Sequence, residues 1–320
     1  MGKTRRTLLT SAACLLCGAA WGASPARANP PYDWNYYVTP HDTLHKGMHT
    51  AYNWGYNQAR ADRAHHHNSF VTLDFGAQGS GGAGTYLPST TTWWSNSRDE
   101  SFAEWFAYGY YKGADNGRSG QHVNLQLGTS NDGSVTDGRL GGIWGSAVQK
   151  TANYVSAHGY SDVAVEGAID VEAGFGPFSH MHGWEWGDSS GAGYAHRTDA
   201  LLADYGDAEG CPQYYTAKNA YCGNGYTTED YYHLAWGWSP NMAQPEIYYN
   251  GCHGYGKQAV QWADISKWGK ASGRRPIQWD ATLSQNRCLT PKQSYNALGR
   301  SLRHAGVPFN PLFETWIVTR

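Results

Sequence analysis

Charged side chains fill only 16% of this 320-residue chain, and acidic ones outnumber basic ones by 26 to 24. That balance argues against a nucleic-acid partner, because phosphate contacts need a basic surface. Long apolar runs are missing as well. Beyond residue 28 nothing approaches the about 20 consecutive apolar residues that a membrane span needs. No glycine-rich turn of the dinucleotide-binding kind leads directly from an early strand into a helix. The H-E-x-x-H helix of zinc proteases is absent, and nothing repeats at solenoid spacing.

Residues 1–28 read as an export signal. They have a basic start with Arg5 and Arg6, an apolar run from Leu8 to Ala20, and a small-residue exit at Ala26-Arg27-Ala28. The arginine pair resembles a twin-arginine signal, and the general secretory route is open too. Removing this segment takes four basic residues and no acids, leaving 20 basic against 26 acidic. The expected location is secreted and extracellular, as one domain over 29–320 and as a monomer. Two of the six cysteines leave with the signal. The others, Cys211, Cys222, Cys252 and Cys288, have no C-x-x-C pair, so a structural zinc is not expected. An even number in an exported chain reads as two disulfides with three possible pairings. Cys211–Cys222 and Cys252–Cys288 are favoured.

What the chain has in quantity is Gly (40), Tyr (23) and Trp (15). Half of the explanation is ordinary, since extracellular loops use Tyr, Asn and Gly in place of Lys and Glu. The other half is aromatic platforms for a ligand with flat apolar faces, such as a sugar.

Short apolar strands alternate with longer helical stretches. "WNYYVTP", "SFVTLDFGAQGS", "HVNLQLGTS", "DVAVEGAIDVEAGF", "HLAWGWS", "EIYYN", "PIQWDATLS" and "TWIVTR" read as strands. Helical spacing marks "TLHKGMHTAYNWGYNQARADRAHHH", "RDESFAEWFAYGYYKGA" (Ser97 as cap, Glu100 completing the box), "GRLGGIWGSAVQKTANYVSAHGY", "GKQAVQWADISKWGK" and "PKQSYNALGRSLRHAG". The rhythm is that of βα units around a parallel sheet. An open doubly wound sheet fits it nearly as well. Polar residues gathered at many strand ends favour a TIM-like (β/α)8 barrel, irregular in places, with a long disulfide-tied insertion around 176–230.

In such a barrel the C-terminal strand ends carry the chemistry. Asp170 and Glu172 stand two apart, so they share a face with Cα atoms about 6.6 Å apart. Like charges that close push one pKa upward, giving a proton donor beside a group that stays ionised. Cleavage of a glycosidic bond needs that pairing. A cap, an arginine partner or a structural cation is the competing reading of any D-x-E. Asp74 ends an earlier strand, whereas Glu166 lies deeper, where a hydrogen bond suffices. Substrate contacts are expected from Trp184, Trp186, Trp236, Trp238, Asn124, Gln126, Tyr248, Gln278 and Asp280. His65-His66-His67 point three ways and cannot grip one ion; His41, His45 and His49 share a face without an acidic ligand in register. No metal and no cofactor are expected. A metal-dependent hydrolase using Asp74, Asp170 and Asp280 is the weaker reading.

"AIDVEAG", a strand closing in Asp-x-Glu, resembles the lysozyme-like glycoside hydrolases that cut peptidoglycan on a barrel. "YNWGYNQA" is similar to a helix of glycoside-hydrolase-like barrel proteins secreted by actinomycetes. That resemblance implies Glu172 as general acid, Asp170 as the partner that stabilises charge or positions the reacting amide, and Asp74 as a supporting carboxylate. The expected function is a secreted glycoside hydrolase acting on peptidoglycan or another polysaccharide. The alternative is a non-catalytic carbohydrate-binding or wall-associated barrel.

Overall fold

The structure, a computed structural model, describes residues 33–39, 47–132, 137–238, 240–248, 255–285, 288–309 and 313–318. The export signal read at 1–28, His41, His45 and Cys252 lie outside these residues.

Eight parallel strands form the staves of an irregular (β/α) barrel: β1 (Asp33–Tyr37), β2 (Ser69–Gln78), β3 (Val123–Ser130), β4 (Val163–Asp170), β5 (Leu202–Asp204), β6 (Asn241–Ala243), β7 (Ala281–Gln285) and β8 (Phe313–Val318). Their order around the sheet is β6-β5-β4-β3-β2-β1-β8-β7. The two ends of this path meet through isolated parallel bridges, Ala243 with Trp279 and Glu246 with Leu283. Backbone bonds Asp280 N to Ala243 O (2.9 Å) and Ile247 N to Leu283 O (2.9 Å) help to hold that seam. A hairpin, Gly84–Tyr86 with Trp93–Ser95, continues antiparallel from the end of β2.

The helices are α1 (Gly47–His65), α2 (Asn96–Gly113), α3 (Gly138–Ala157), α4 (Phe178–Trp186), α5 (Thr228–Tyr232), α6 (Tyr255–Ala271) and α7 (Pro291–Ala305). Local sequence sets several of their ends. Thr290 and Gln293 form a reciprocal capping box with Pro291 in the first turn, and Gly306 ends α7 in the left-handed region (φ 72°). Asp137 caps α3 by accepting from Leu140 N at 2.8 Å. The cap expected from Ser97 for α2 is not made: the helix starts after Ser95, whose hydroxyl meets that of Ser97 at 2.9 Å instead.

Alternation along the staves sorts side chains into two populations. Val71, Leu73, Phe75, Leu125 and Leu127 join the large core with Phe102, Phe106, Trp144 and Val148 of the helices. A second, smaller cluster of Ala168, Ala203, Tyr205, Tyr248, Leu283 and Ile317 fills the middle of the ring. A buried polar layer is built from the same staves: Thr72 N donates to Asn35 Oδ1 (2.6 Å), Thr72 Oγ1 to Gln126 Oε1 (2.6 Å), and Gln126 Nε2 to Glu166 Oε2 (3.4 Å). The "YNWGYNQA" segment lies on α1 and serves packing. A Cβ on Gly55 would sit 2.1 Å from Phe106 O, so only glycine lets α1 and α2 approach this closely.

Three expectations change. The described residues of "EIYYN" carry only an isolated bridge at Glu246, and the sixth stave is Asn241–Ala243 instead. "HLAWGWS" is no strand: α5, started by a Thr227–Asp230 capping box, runs on through a wide helical turn, His233–Gly237. A short apolar run cannot by itself separate strand from buried helix. The stretch 176–230 is only partly an excursion, because it supplies α4 and the fifth stave.

The Cys211–Cys222 disulfide is present. Cys288 is also disulfide-bonded, and its expected partner, Cys252, falls outside the described residues. The first bridge spans a separation of 11 residues. Replacing both Cys211 and Cys222 by Ser is expected to lower unfolding free energy by about 2–3 kcal/mol, read from the urea midpoint at constant slope. No described helix is long and apolar enough to cross a membrane.

Candidate active site

The C-terminal ends of the staves open into a cleft of about 1100 Å³. Seven carboxylates line it: Asp74 from β2, Asp132 beyond β3, Asp170 and Glu172 from the end of β4, Asp207 and Glu209 beyond β5, and Glu246 beyond β6. No lysine, arginine or histidine is among the described lining residues. Tyr37, Tyr86, Phe175 and Tyr248 supply aromatic surface.

Close contact of β4 and β5 brings the central acids together. A Cβ on Gly206 would lie 2.3 Å from Val171 O, so glycine is required where the two strand ends touch. Glu172, Asp207 and Glu209 then bring carboxylate oxygens within 4.8 Å of one another. These three could share one hard cation, since carboxylate oxygens are its ordinary ligands.

Hydrogen bonds fix each acid in place. The Asn131 side chain holds the backbone of Glu172 from both sides, accepting from its N–H (3.0 Å) and donating to its carbonyl (2.9 Å). Tyr231 OH accepts from Ala173 N at 3.0 Å, and Asn224 donates to Ala173 O at 2.9 Å. Asp207 accepts from Glu209 N (2.8 Å) and from Gln258 Nε2 (3.2 Å), while Gln258 Oε1 accepts from Tyr248 N (2.7 Å). Tyr248 OH donates to Glu246. Asp74 accepts from Gly76 N at 2.7 Å. Asn131→Ala is therefore expected to release the Glu172 loop, lowering kcat at least ~10-fold with less effect on Tm, since a 1 Å misplacement alone costs more than that.

Burial and crowding raise these acids, because both disfavour the ionised form. Glu172 is raised to about 8 by burial and then by the charges of Asp207, Glu209 and Asp132. Asp74 reaches about 7 and Asp207 about 6, each chiefly through burial. Asp170 is pushed well up by burial, then by Glu246, Glu172, Asp74 and Asp207. Glu246 follows through burial and Glu172, with the Tyr248 hydrogen bond opposing. Of the two, Glu172 therefore holds a proton to higher pH than Asp207.

Of the residues expected at the site, Asp74, Asp170, Glu172 and Tyr248 line the cleft. The others do not. Trp184 is fully buried, donating to Gln78 Oε1 (2.7 Å) and stacked on Tyr194. Trp186 and Trp238 meet edge to face at 6.0 Å in an aromatic group with Phe178 and His182, and Trp236 packs against the main core. Their displacement follows from α4 and the helical run at 233–237, which replace the expected rim loop and strand. Gln126 is spent within the ring on Thr72 and Glu166, and Asn124 lies one layer nearer its floor. Gln278 and Asp280 precede β7, which starts at Ala281, and so sit at its N-terminal end. A metal site built on Asp74, Asp170 and Asp280 is ruled out by that placement. Glu166 is buried inside the ring, raised by burial to about 7.

The expectation for the three histidines changes at His67, whose Nε2 lies 2.8 Å from Asp33 Oδ1. Gly187 to Gly191 spells G-x-S-x-G, yet it forms a surface turn closed by Asp188 N to Gly191 O (2.9 Å), without the strand and helix of a nucleophile elbow. The reading from sequence missed Asp207, Glu209 and Glu246. A three-residue β5 carries no periodic signal, and only the acidic pair in "YGDAEG" marks its end.

These features define a class: an irregular eight-stave (β/α) barrel with an acidic cleft at its C-terminal mouth. No family model matches the chain, and no curated protein matches it in sequence. Among solved structures it is similar to the hyperthermostable endo-1,4-beta-D-mannanase from Thermotoga petrophila RKU-1, determined with maltose and glycerol. The two are 11% identical, the match covers 90% of this chain and 87% of that chain, and the TM-score is 0.47.

Proposed function

We propose that this protein is a glycoside hydrolase that cleaves a polysaccharide by carboxylate acid–base chemistry in the acidic cleft. The observation that carries the reading is the placement of Glu172 and Asp207, with carboxylate oxygens no more than 4.8 Å apart, at the ends of neighbouring staves in an open cleft. Glu172, protonated near neutrality, donates to the leaving oxygen. Asp207, ionised and oriented by Gln258, faces the developing oxocarbenium ion. Both groups thus reach a sugar carbon bound between them, which is the arrangement acid-assisted glycosidic cleavage needs. Asp170, with Glu246, adds negative charge around the same centre.

A binding-only protein is the weaker reading. It calls for a neutralising arginine or a filled groove, and among the described residues the cleft has neither. The cleft exceeds the about 300–1,000 Å³ of small-molecule pockets, which suits a polymer segment. Export to the cell exterior belongs to the same proposal, supported by the Cys211–Cys222 disulfide. Peptidoglycan enters only through the resemblance of the Asp-x-Glu strand. The test is release of reducing ends from bacterial walls and from plant, fungal and bacterial polysaccharides by wild type and Glu172→Gln. Activity present in wild type and lost in the variant supports hydrolysis; no activity on any polymer overturns it.

A further inference from the structure

Seven carboxyl groups crowd one cleft with no basic side chain among its described lining, so an entering cation would offset the repulsion that holds several of them protonated. Neutral sugars offer hydroxyl donors but no charge to offset it. Polymers bearing carboxylates or phosphates are repelled.

A second observation lies beneath this rim. Asp170 is only 9% exposed and lines the cleft, yet its Oδ1 has no hydrogen-bond partner. Once ionised, Asp170 is an acceptor only, and leaving it buried without a donor is costly, so a donor bearing positive charge is what favours its ionised form. An ammonium group brings three donors and a positive charge together.

Position narrows the ligand further. In a 2-amino sugar the nitrogen is carried by the carbon next to the anomeric carbon. A residue bound with its anomeric carbon between Glu172 and Asp207 therefore holds its nitrogen within reach of neighbouring acids. The rim adds a sugar platform: Tyr86, 46% exposed, lines the cleft and is braced edge-on by Trp93 at 5.2 Å.

We infer that the cleft takes a polysaccharide of amino sugars with free amino groups, an ammonium being held between Asp170 and the Glu172–Asp207–Glu209 cluster. This rests on the hydrolase reading for the step of cleavage but not for binding, and the experiment separates the two. Wild-type protein is given soluble glucosamine hexamer, its fully N-acetylated counterpart and a polyuronate oligomer. Binding of each is measured by calorimetry to Glu172→Gln, at low salt and at about 1 M salt, where the Debye length is near 3 Å. The glucosamine hexamer should be cleaved at least ~10-fold faster than the acetylated one, the scale of one charge-assisted hydrogen bond. It should also bind the variant at low salt and weaken in high salt. Glu209→Gln changes an exposed side chain; it should keep the wild-type Tm and reduce the preference for the free amine.

Equal or faster cleavage of the acetylated hexamer or the polyuronate overturns the amino-sugar inference and leaves the hydrolase. Tight binding of the glucosamine hexamer without cleavage of any polymer overturns the hydrolase and leaves the inference. Calcium binding to the protein, with no binding of the glucosamine hexamer, also overturns it.

Discussion

Glu172→Gln is expected to lower kcat/KM on polysaccharide by at least ~10²-fold, the usual scale for losing a proton donor. The amide keeps the size and the hydrogen-bonding reach of the acid but has no proton to give. With Glu172 raised to about 8 by burial and by its acidic neighbours, the wild-type group is loaded over the neutral range. A proton donor leaves a second mark. On an aryl glycoside whose leaving group departs without protonation, the variant should recover most of the loss. A defect of equal size on both substrates would point instead to damaged binding or geometry, and equal rates for the two proteins would remove Glu172 from the mechanism.

Stability should fall as pH rises from about 5 to about 8, which reverses the usual behaviour of carboxylates in folded proteins. Glu166 and Asp74 are raised to about 7 and Asp280 to about 8, all chiefly through burial. A carboxyl raised on folding keeps its proton in the folded state after the unfolded chain has released it. The folded state then binds more protons, so unfolding free energy decreases with pH. That loss begins above the ordinary carboxyl values near 4 and levels off only past the folded values near 7 and 8. Each pKa unit is worth about 1.4 kcal/mol. Several such groups should move Tm down by at least ~5 °C between pH 5 and pH 8. Glu166→Gln removes one of them without reaching the cleft, so it should raise Tm at pH 8 and flatten the slope. A Tm that holds steady or climbs over this range would contradict the burial of these acids.

How far the fold could be read from sequence depended on the length of each element. β2, β3 and β4 run for eight to ten residues, and their apolar alternation placed them well. The same parity put Asp170 and Glu172 on one cleft-facing side. β5 and β6 have three residues each. Nothing periodic distinguishes them from loop, so Asp207 and Glu246 went unrecognised. Tryptophan misled for a different reason. Its chemistry suits a sugar platform and a core equally, and Trp184 was decided by a buried hydrogen bond to Gln78, 106 positions away. The glycine of "YNWGYNQA" was visible in sequence, but its purpose was not, because the close approach it permits is to another helix.

The ring of staves is stitched unevenly. β1 to β5 and β8 are joined by continuous ladders, whereas β6 and β7 meet only through isolated bridges. Asp74 and Asp170 ride on the firmly laced side, while Glu246 and Tyr248 belong to the lightly pinned one. The seam therefore sets the spacing between these two sets of side chains, because Asp74 and Asp170 stand on one side of it and Glu246 and Tyr248 on the other.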